Sequence, residues 1–306
     1  GSVEGDVLKG DVILRGGADP HLGLAQVMQL LLELRESGVR EIAGNLILDR
    51  SLFKPSRFDR NLPPFDESPE FPYNVIPDAL QFNGNLMGLE LQSNDVALQV
   101  RMVPALEEVE FVTHGLALTP TRCKDWDDDW KLPLVTESAE RVRIELRGGF
   151  PRQCTVRAEL QLFDRDRMVG LTFRALWKRL GGAWSGRVQE GSTPETARPV
   201  ASHVAPPWRE VLRPLNKHSD NAHTRLLYLT LGAQATGADP ALTTRDRAAA
   251  VVRAWLAEHR IPDTGLVLDN GSGLSRTERI SARNMGRLLQ QADANPNGGK
   301  VLGKVR

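Results

Sequence analysis

Lys217-His218-Ser219-Asp220-Asn221 falls between a helix that Pro214 should end or kink and a second helix running to Leu231. A Ser or Asp at such a junction has a plain role as a helix N-cap. The same junction would also set Ser219 and Asn221 on one tight turn, with both polar groups aimed into a cleft. A serine acyl-transferase needs such a pair: a hydroxyl to relay a proton and an amide to hold the substrate's peptide. Alone, the tripeptide does not decide between the two roles.

Outward from this junction the pattern is helical. Trp208, Val211, Leu212 and Leu215 share the face of the preceding helix, and Asp164 to Leu180 reads as another helix, stopped at Gly181-Gly182. Downstream, Ala248, Val251, Val252, Trp255 and Leu256 form one stripe over Thr244 to His259, behind a cap at Thr244. Ser281 to Gln291 repeats the logic with Met285, Leu288 and Leu289. Before about residue 163 the character is different. Val12 to Leu14 reads as a strand, Leu24, Val27, Met28 and Leu31 as a helix ended by Gly38, and Ile42 to Leu48 as a strand. A long loop covers Leu52 to Pro77, and strands follow over Leu86 to Val103, Glu107 to Leu118, Val142 to Leu146 and Thr155 to Leu162. The expectation is a multidomain α/β (α+β) protein, with 1–160 a β-rich region of two subdomains and 161–306 a helical portion carrying the Ser-Asp-Asn element.

The composition excludes other classes. With 306 residues, 41% of them hydrophobic and 25% charged, the chain can bury a sizeable core and is not disordered. No apolar run nears the length of a membrane helix. Lys plus Arg is 39 and Asp plus Glu is 39. A zero net charge argues against a nucleic-acid partner, and association with a membrane surface stays open. Gly1-Ser2 without a methionine reads as a cloning remnant, so missing targeting signals say nothing of the native location.

A second candidate segment is Asp269-Asn270-Gly271-Ser272-Gly273-Leu274-Ser275-Arg276, after the strand-like Leu266-Val267-Leu268. Glycines spaced by one residue permit a tight turn or a close backbone approach, but no Lys-Ser/Thr follows to make a phosphate cradle. Cys123 and Cys154 are either two buried small residues or one disulfide. Asp125, Asp127, Asp128 and Asp129 could ligate a hard cation, yet their spacing matches no EF-hand and a solvated acidic loop is the better reading. No cofactor or metal is expected.

Taken together, Leu8 to Pro20 (L-K-G-D-V-I-L-R-G-G-A-D-P), Gly44 to Asp49 (G-N-L-I-L-D), Lys217 to Asn221 and Asp269 to Arg276 resemble the D-alanyl-D-alanine carboxypeptidase/endopeptidase family, the class C low-molecular-mass penicillin-binding proteins. The resemblance extends over nearly the whole chain. It implies a penicillin-binding domain with inserted β-rich accessory domains, a periplasmic setting, and a disulfide between Cys123 and Cys154. It also implies peptidoglycan stem peptides ending in D-Ala-D-Ala as substrate and β-lactams as ligands. Ser219, Asn221 and Lys217 would be the catalytic set, with Asp220, Gly271, Ser272 and Gly273 binding substrate.

Two family elements have no counterpart here, the Ser-x-x-Lys nucleophile and the Lys-Thr-Gly strand. The one Ser-x-x-Lys string, Ser51-Leu52-Phe53-Lys54, precedes Pro55, which disfavours the helical geometry that puts serine and lysine on one face. The expectation is therefore a truncated enzyme, inactive alone, with exposed apolar surface where its domain is incomplete. The alternative is a non-catalytic accessory or scaffold module.

Overall fold

The computed structural model describes residues 1–294 and has four small sheets and six α-helices among them. Two sheets join the first 49 residues to the segment 183–191. β1 (Ser2–Glu4), β2 (Val7–Lys9), β4 (Glu41–Ile42) and β13 (Ala183–Trp184) form one. β3 (Val12–Arg15), β5 (Leu46–Asp49) and β14 (Val188–Gly191) form the other, wholly parallel. The expected strand over 42–48 is thus two strands in different sheets, divided at Ala43-Gly44-Asn45. Because β13 and β14 pair with β4 and β5, the change of character near residue 160 is compositional and does not interrupt strand pairing.

Helix α1 (Leu24–Glu36) buries Val27, Leu31 and Leu34, the period the sequence shows, against α2 (Arg165–Arg179) and the strands. The middle of the chain forms the other two sheets. β6 (Met87–Ser93), β7 (Leu98–Val103) and β12 (Thr155–Leu160) are antiparallel. In the second, β11 (Val142–Pro151) pairs antiparallel with β10 (Trp130–Glu137) and parallel with β8 (Val109–Val112) and β9 (Leu116–Thr119). A disulfide joins Cys123 to Cys154. Along the acidic run, Asp125 pairs with Arg122 and Asp129 accepts from the Thr121 hydroxyl.

The remaining helices are α3 (Trp208–His218), α4 (Asn221–Ala233), α5 (Thr244–Glu258) and α6 (Ala282–Ala294). Pro214 does not end α3. Its ring is exposed while Val211 and Leu215 are buried, so the inward face holds the helix across the missing N–H. The cap of α5 is Thr243, whose hydroxyl accepts from Asp246 N–H, and not Thr244. Thr244 is buried, and its hydroxyl accepts the Lys54 amide at 2.7 Å. The apolar stripe expected on α6 is not a core face: Met285 and Leu289 are exposed, as are Trp255, Val267 and Ile280. Leu266 to Leu268 is not a strand but one bridge, Val267 to Arg279.

α4 is seated by Leu226 and Leu229, which pack with Ala18, Phe53 and Ala79. That seat depends on buried charge. Asp78, fully buried, receives Arg50 Nε at 3.1 Å and Arg165 Nη1 at 2.7 Å, both guanidiniums being buried too. It also accepts the Leu80 N–H at 2.7 Å. Arg50 reaches Asp166 at 2.7 Å, and Arg57 pairs with Asp59, Asp164 and Asp166. Burial pushes the Asp164 carboxyl up, but Arg57 outweighs it and holds that group below its usual value.

Removing one partner of a buried ion cluster leaves uncompensated charge, so Asp78→Ala should destabilise the protein by about 3–5 kcal/mol. Glu90→Ala, which breaks exposed pairs with Arg101 and Arg157, should change stability by less than about 1 kcal/mol. Urea unfolding of the two variants checks the contrast; equal effects would refute it.

Candidate active site

Between α3 and α4 the chain turns on Ser219, which is exposed and left-handed at φ 53°. Few residues other than glycine, asparagine or aspartate adopt that conformation readily, so the turn holds mild strain. It is stabilised by two amides, Ser219 N–H and Asp220 N–H, that both donate to the Leu215 carbonyl. The cap of α4 is Asp220, whose Oδ1 accepts the His223 N–H at 2.9 Å. The simple capping role therefore belongs to Asp220 and leaves the Ser219 hydroxyl exposed at the turn.

Both Asp220 oxygens face His223, since Oδ2 meets the ring Nδ1. Burial pushes the Asp220 carboxyl up, and the His223 contacts overcome this and hold it below its usual value. That engagement gives Asp220 a part in supporting the turn. Lys217 and His218 occupy the exposed last turn of α3. Asn221 is the first residue of α4, half-buried.

The Asp269–Arg276 loop packs on the same helix. Gly271 sits at φ +76° with its α-carbon against Tyr228, and a side chain there would begin 2.6 Å from the Tyr228 Cβ. Ser272 is buried, and its hydroxyl donates to Asn270 Oδ1 at 2.8 Å while accepting from Arg225 Nε and the Leu274 amide. Ser272 therefore builds the loop from within. Gly273, by contrast, is exposed, and a Cβ placed on it would lie 4.0 Å from Asn221 Oδ1. The two segments singled out in the sequence meet at this point.

Arg225 fastens them together. One turn after Asn221, its guanidinium also donates to the Val75 and Leu274 carbonyls, each at 3.1 Å. It is buried and, among the described residues, paired with neutral oxygens only; burial pushes its guanidinium down, against the opposing pull of Asp269 and Glu278. The neighbouring Tyr228 hydroxyl is pushed up to about 12 by burial. On the far side of the loop Arg276 stacks over the Phe65 ring at 4.5 Å and donates to the Phe65 carbonyl. The structure thus brings Gly273 beside Asn221 and sets Gly271 and Ser272 against Tyr228 and Arg225 of the same helix, with Ser219 two residues before Asn221. Arg225, Tyr228 and His223 were not picked from sequence, although Arg225 had a signal: a charge one turn after Asn221 amid the apolar residues of α4. Lys54 serves elsewhere, its ammonium donating to the Pro240 carbonyl at 2.7 Å.

The model of the D-Ala-D-Ala carboxypeptidase 3 (S13) family matches residues 1–304. Among curated proteins, the chain is 23% identical over 291 residues to the D-alanyl-D-alanine carboxypeptidase DacB of Haemophilus influenzae, covering 95% of the chain and 59% of that relative. It is 26% identical over 296 residues to the D-alanyl-D-alanine carboxypeptidase of an Actinomadura species, covering 94% of the chain and 53% of the relative. The chain therefore spans little more than half the length of these relatives. Its fold is similar to that of penicillin binding protein 4 from Haemophilus influenzae, at TM-score 0.76 and 21% identity over 97% of this chain and 64% of that one. A structure of the same protein complexed with a β-lactam gives TM-score 0.70 at 20% identity, over 98% of this chain and 64% of that one.

If the loop is held against Tyr228 as described, Gly271→Ala meets both a positive φ and a wall, for a loss of about 2–4 kcal/mol. Gly265→Ala has the same backbone sign at φ +74° but open space around it, and should lose only about 1–2 kcal/mol. Guanidinium unfolding separates the two, and Gly271→Ala no worse than Gly265→Ala would contradict the packing.

Proposed function

The chain belongs to the D-Ala-D-Ala carboxypeptidase 3 (S13) family, and from that premise we propose that it forms the Ser-Asp-Asn side of an active site that trims peptidoglycan stem peptides. One observation carries the reading: Asn221 and Gly273, from segments 52 residues apart in sequence, lie side by side, with a Cβ placed on Gly273 only 4.0 Å from Asn221 Oδ1. The exposed Ser219 hydroxyl stands two residues from Asn221 on the same turn.

In a protein of the relatives' full length, a serine activated by a lysine one helical turn away attacks the carbonyl of the penultimate D-alanine. A bond forms from serine oxygen to that carbon, the peptide bond breaks, and the terminal D-alanine leaves as its amine. Ser219 passes the proton that this amine takes up. The Asn221 amide hydrogen-bonds the peptide backbone of the substrate, with the Gly273 backbone opposite it. Water then hydrolyses the acyl-enzyme. Lys217, in the exposed last turn of α3, adds positive charge near the turn. A β-lactam enters the same route and stalls as the acyl-enzyme, and a periplasmic location follows from the substrate. In such a longer protein, the nucleophile and a Lys-Thr-Gly carboxylate anchor would come from other segments.

Fluorescent penicillin tests this. The 306-residue chain should not be labelled, whereas a full-length form should be, and should release D-alanine from a pentapeptide. In that form Ser219→Ala should slow acylation roughly 100-fold or more, and Asn221→Ala should lose about 1–3 kcal/mol of binding. Thr243→Ala, at the α5 cap, should lower stability by about 1 kcal/mol without changing the rate per folded molecule. If Ser219→Ala behaves like Thr243→Ala, Ser219 only shapes the turn. An unlabelled full-length protein would favour the accessory-module reading.

A further inference from the structure

His223 has an acceptor at each ring nitrogen. Nδ1 meets Asp220 Oδ2, and Nε2 lies 2.9 Å from the Pro20 carbonyl oxygen. A backbone carbonyl can only accept, and Asp220 already accepts the His223 N–H through its other oxygen. A neutral imidazole carries one N–H, so either tautomer would aim a lone pair at an oxygen. Only the imidazolium, with two N–H groups, satisfies both contacts.

These contacts span two elements. Asp220 caps α4 and ends the Ser219 turn, whereas Pro20 lies in the segment that follows β3, whose Ala18 packs with Leu226 and Leu229 of α4. The geometry points to His223 as a proton-operated positioning residue: as the imidazolium it ties the Ser219–Asn221 turn to the segment around Pro20, and loss of its second proton releases that tie. The consequence for catalysis rests on the function proposed above, but the clamp itself does not.

Of the other ionisable groups on the elements meeting there, Arg225 and Tyr228 of α4 face the Asp269–Arg276 loop and the His21 ring is exposed. Asp19 pairs with the His203 ring at 3.2 Å and accepts the His21 N–H, and Lys217 and His218 are exposed at the end of α3. Burial pushes His223 down, but the Asp220 hydrogen bond and charge, with the Pro20 carbonyl, outweigh it and raise it above the ordinary 6.5. For a group raised in the folded state, the stabilisation is complete below 6.5 and is lost as pH rises through the higher folded value. Asp220, lowered from 3.8, sets the acid limit, because its contribution is present above that value and lost as pH falls below it.

The test is a titration of the 306-residue chain labelled with ¹⁵N, reading ring and backbone resonances between about pH 5 and about pH 9.5. Both His223 ring nitrogens should appear protonated near about pH 6, with a midpoint above 6.5. The Ser219, Asn221 and His21 amides should shift with that midpoint. Asp220→Asn should lower the midpoint, and His223→Gln should abolish the coupled amide shifts; should His223→Gln fail to fold, Asp220→Asn carries the comparison. A midpoint at or below 6.5, or a ring titration that leaves those amides still, would overturn the proposal. Neither readout needs substrate, so failed penicillin labelling and a failed clamp are distinguishable results.

Discussion

A buried carboxylate between two buried guanidiniums governs this molecule. Asp78 bridges Arg50, which follows β5, and Arg165, in the first turn of α2. Through the Leu80 amide it also fixes the next two residues of its own segment. The Ala79 carbonyl accepts the Ala18 amide at 2.8 Å, and both alanines pack beneath Leu226 and Leu229 of α4. The helix that bears Asn221 is therefore positioned by an ion cluster lying under its seat. Such a cluster gains little over an apolar core of equal volume, but every partner removed leaves a charge stranded. It specifies one arrangement of the 49–60 segment, the segment around Asp78 and α2.

On that seat, polar groups divide between support and presentation. Asp220, Ser272, Asn270 and Arg225 have their hydrogen bonds inside the protein, and together they fix the turn and the loop. Arg225 binds hydroxyl and carbonyl oxygens in place of a carboxylate, so its fork joins three backbone segments at once. Ser219 and Gly273 are left at the surface, beside the half-buried Asn221. The chemistry proposed for this site needs that division: fixed donors and acceptors facing a substrate, with their own positions set by others behind them.

Much of this was legible in the sequence where one rule acted alone. The stripe of α1 follows the helical period, and Asp164 and Gly181 mark the ends of α2. The Ser-Asp-Asn and Gly-Ser-Gly segments pointed to a candidate site because their order and spacing resemble a family's. What escaped was set by tertiary context. β13 and β14 are two and four residues long and exist through pairing with β4 and β5, too short for any period to show. β10 contains Pro133 and follows the acidic run, so its sequence reads as loop. Pro214 stays in α3 because burial on one face outweighs one lost hydrogen bond. The roles within Ser219-Asp220-Asn221 needed dihedral angles: a left-handed Ser219 passes the cap to Asp220, which no spacing rule foretells.

The central claim is that the turn at Ser219–Asn221 and the loop at Gly271–Gly273 are two walls of one substrate site. A crystal structure of a full-length form acylated by benzylpenicillin tests it most directly. The account predicts the ligand's side-chain amide hydrogen-bonded to Asn221, the Ser219 hydroxyl facing the acylated centre, and Gly273 along the opposite edge. An acyl group seated away from both segments, with Asn221 turned to solvent, would contradict it.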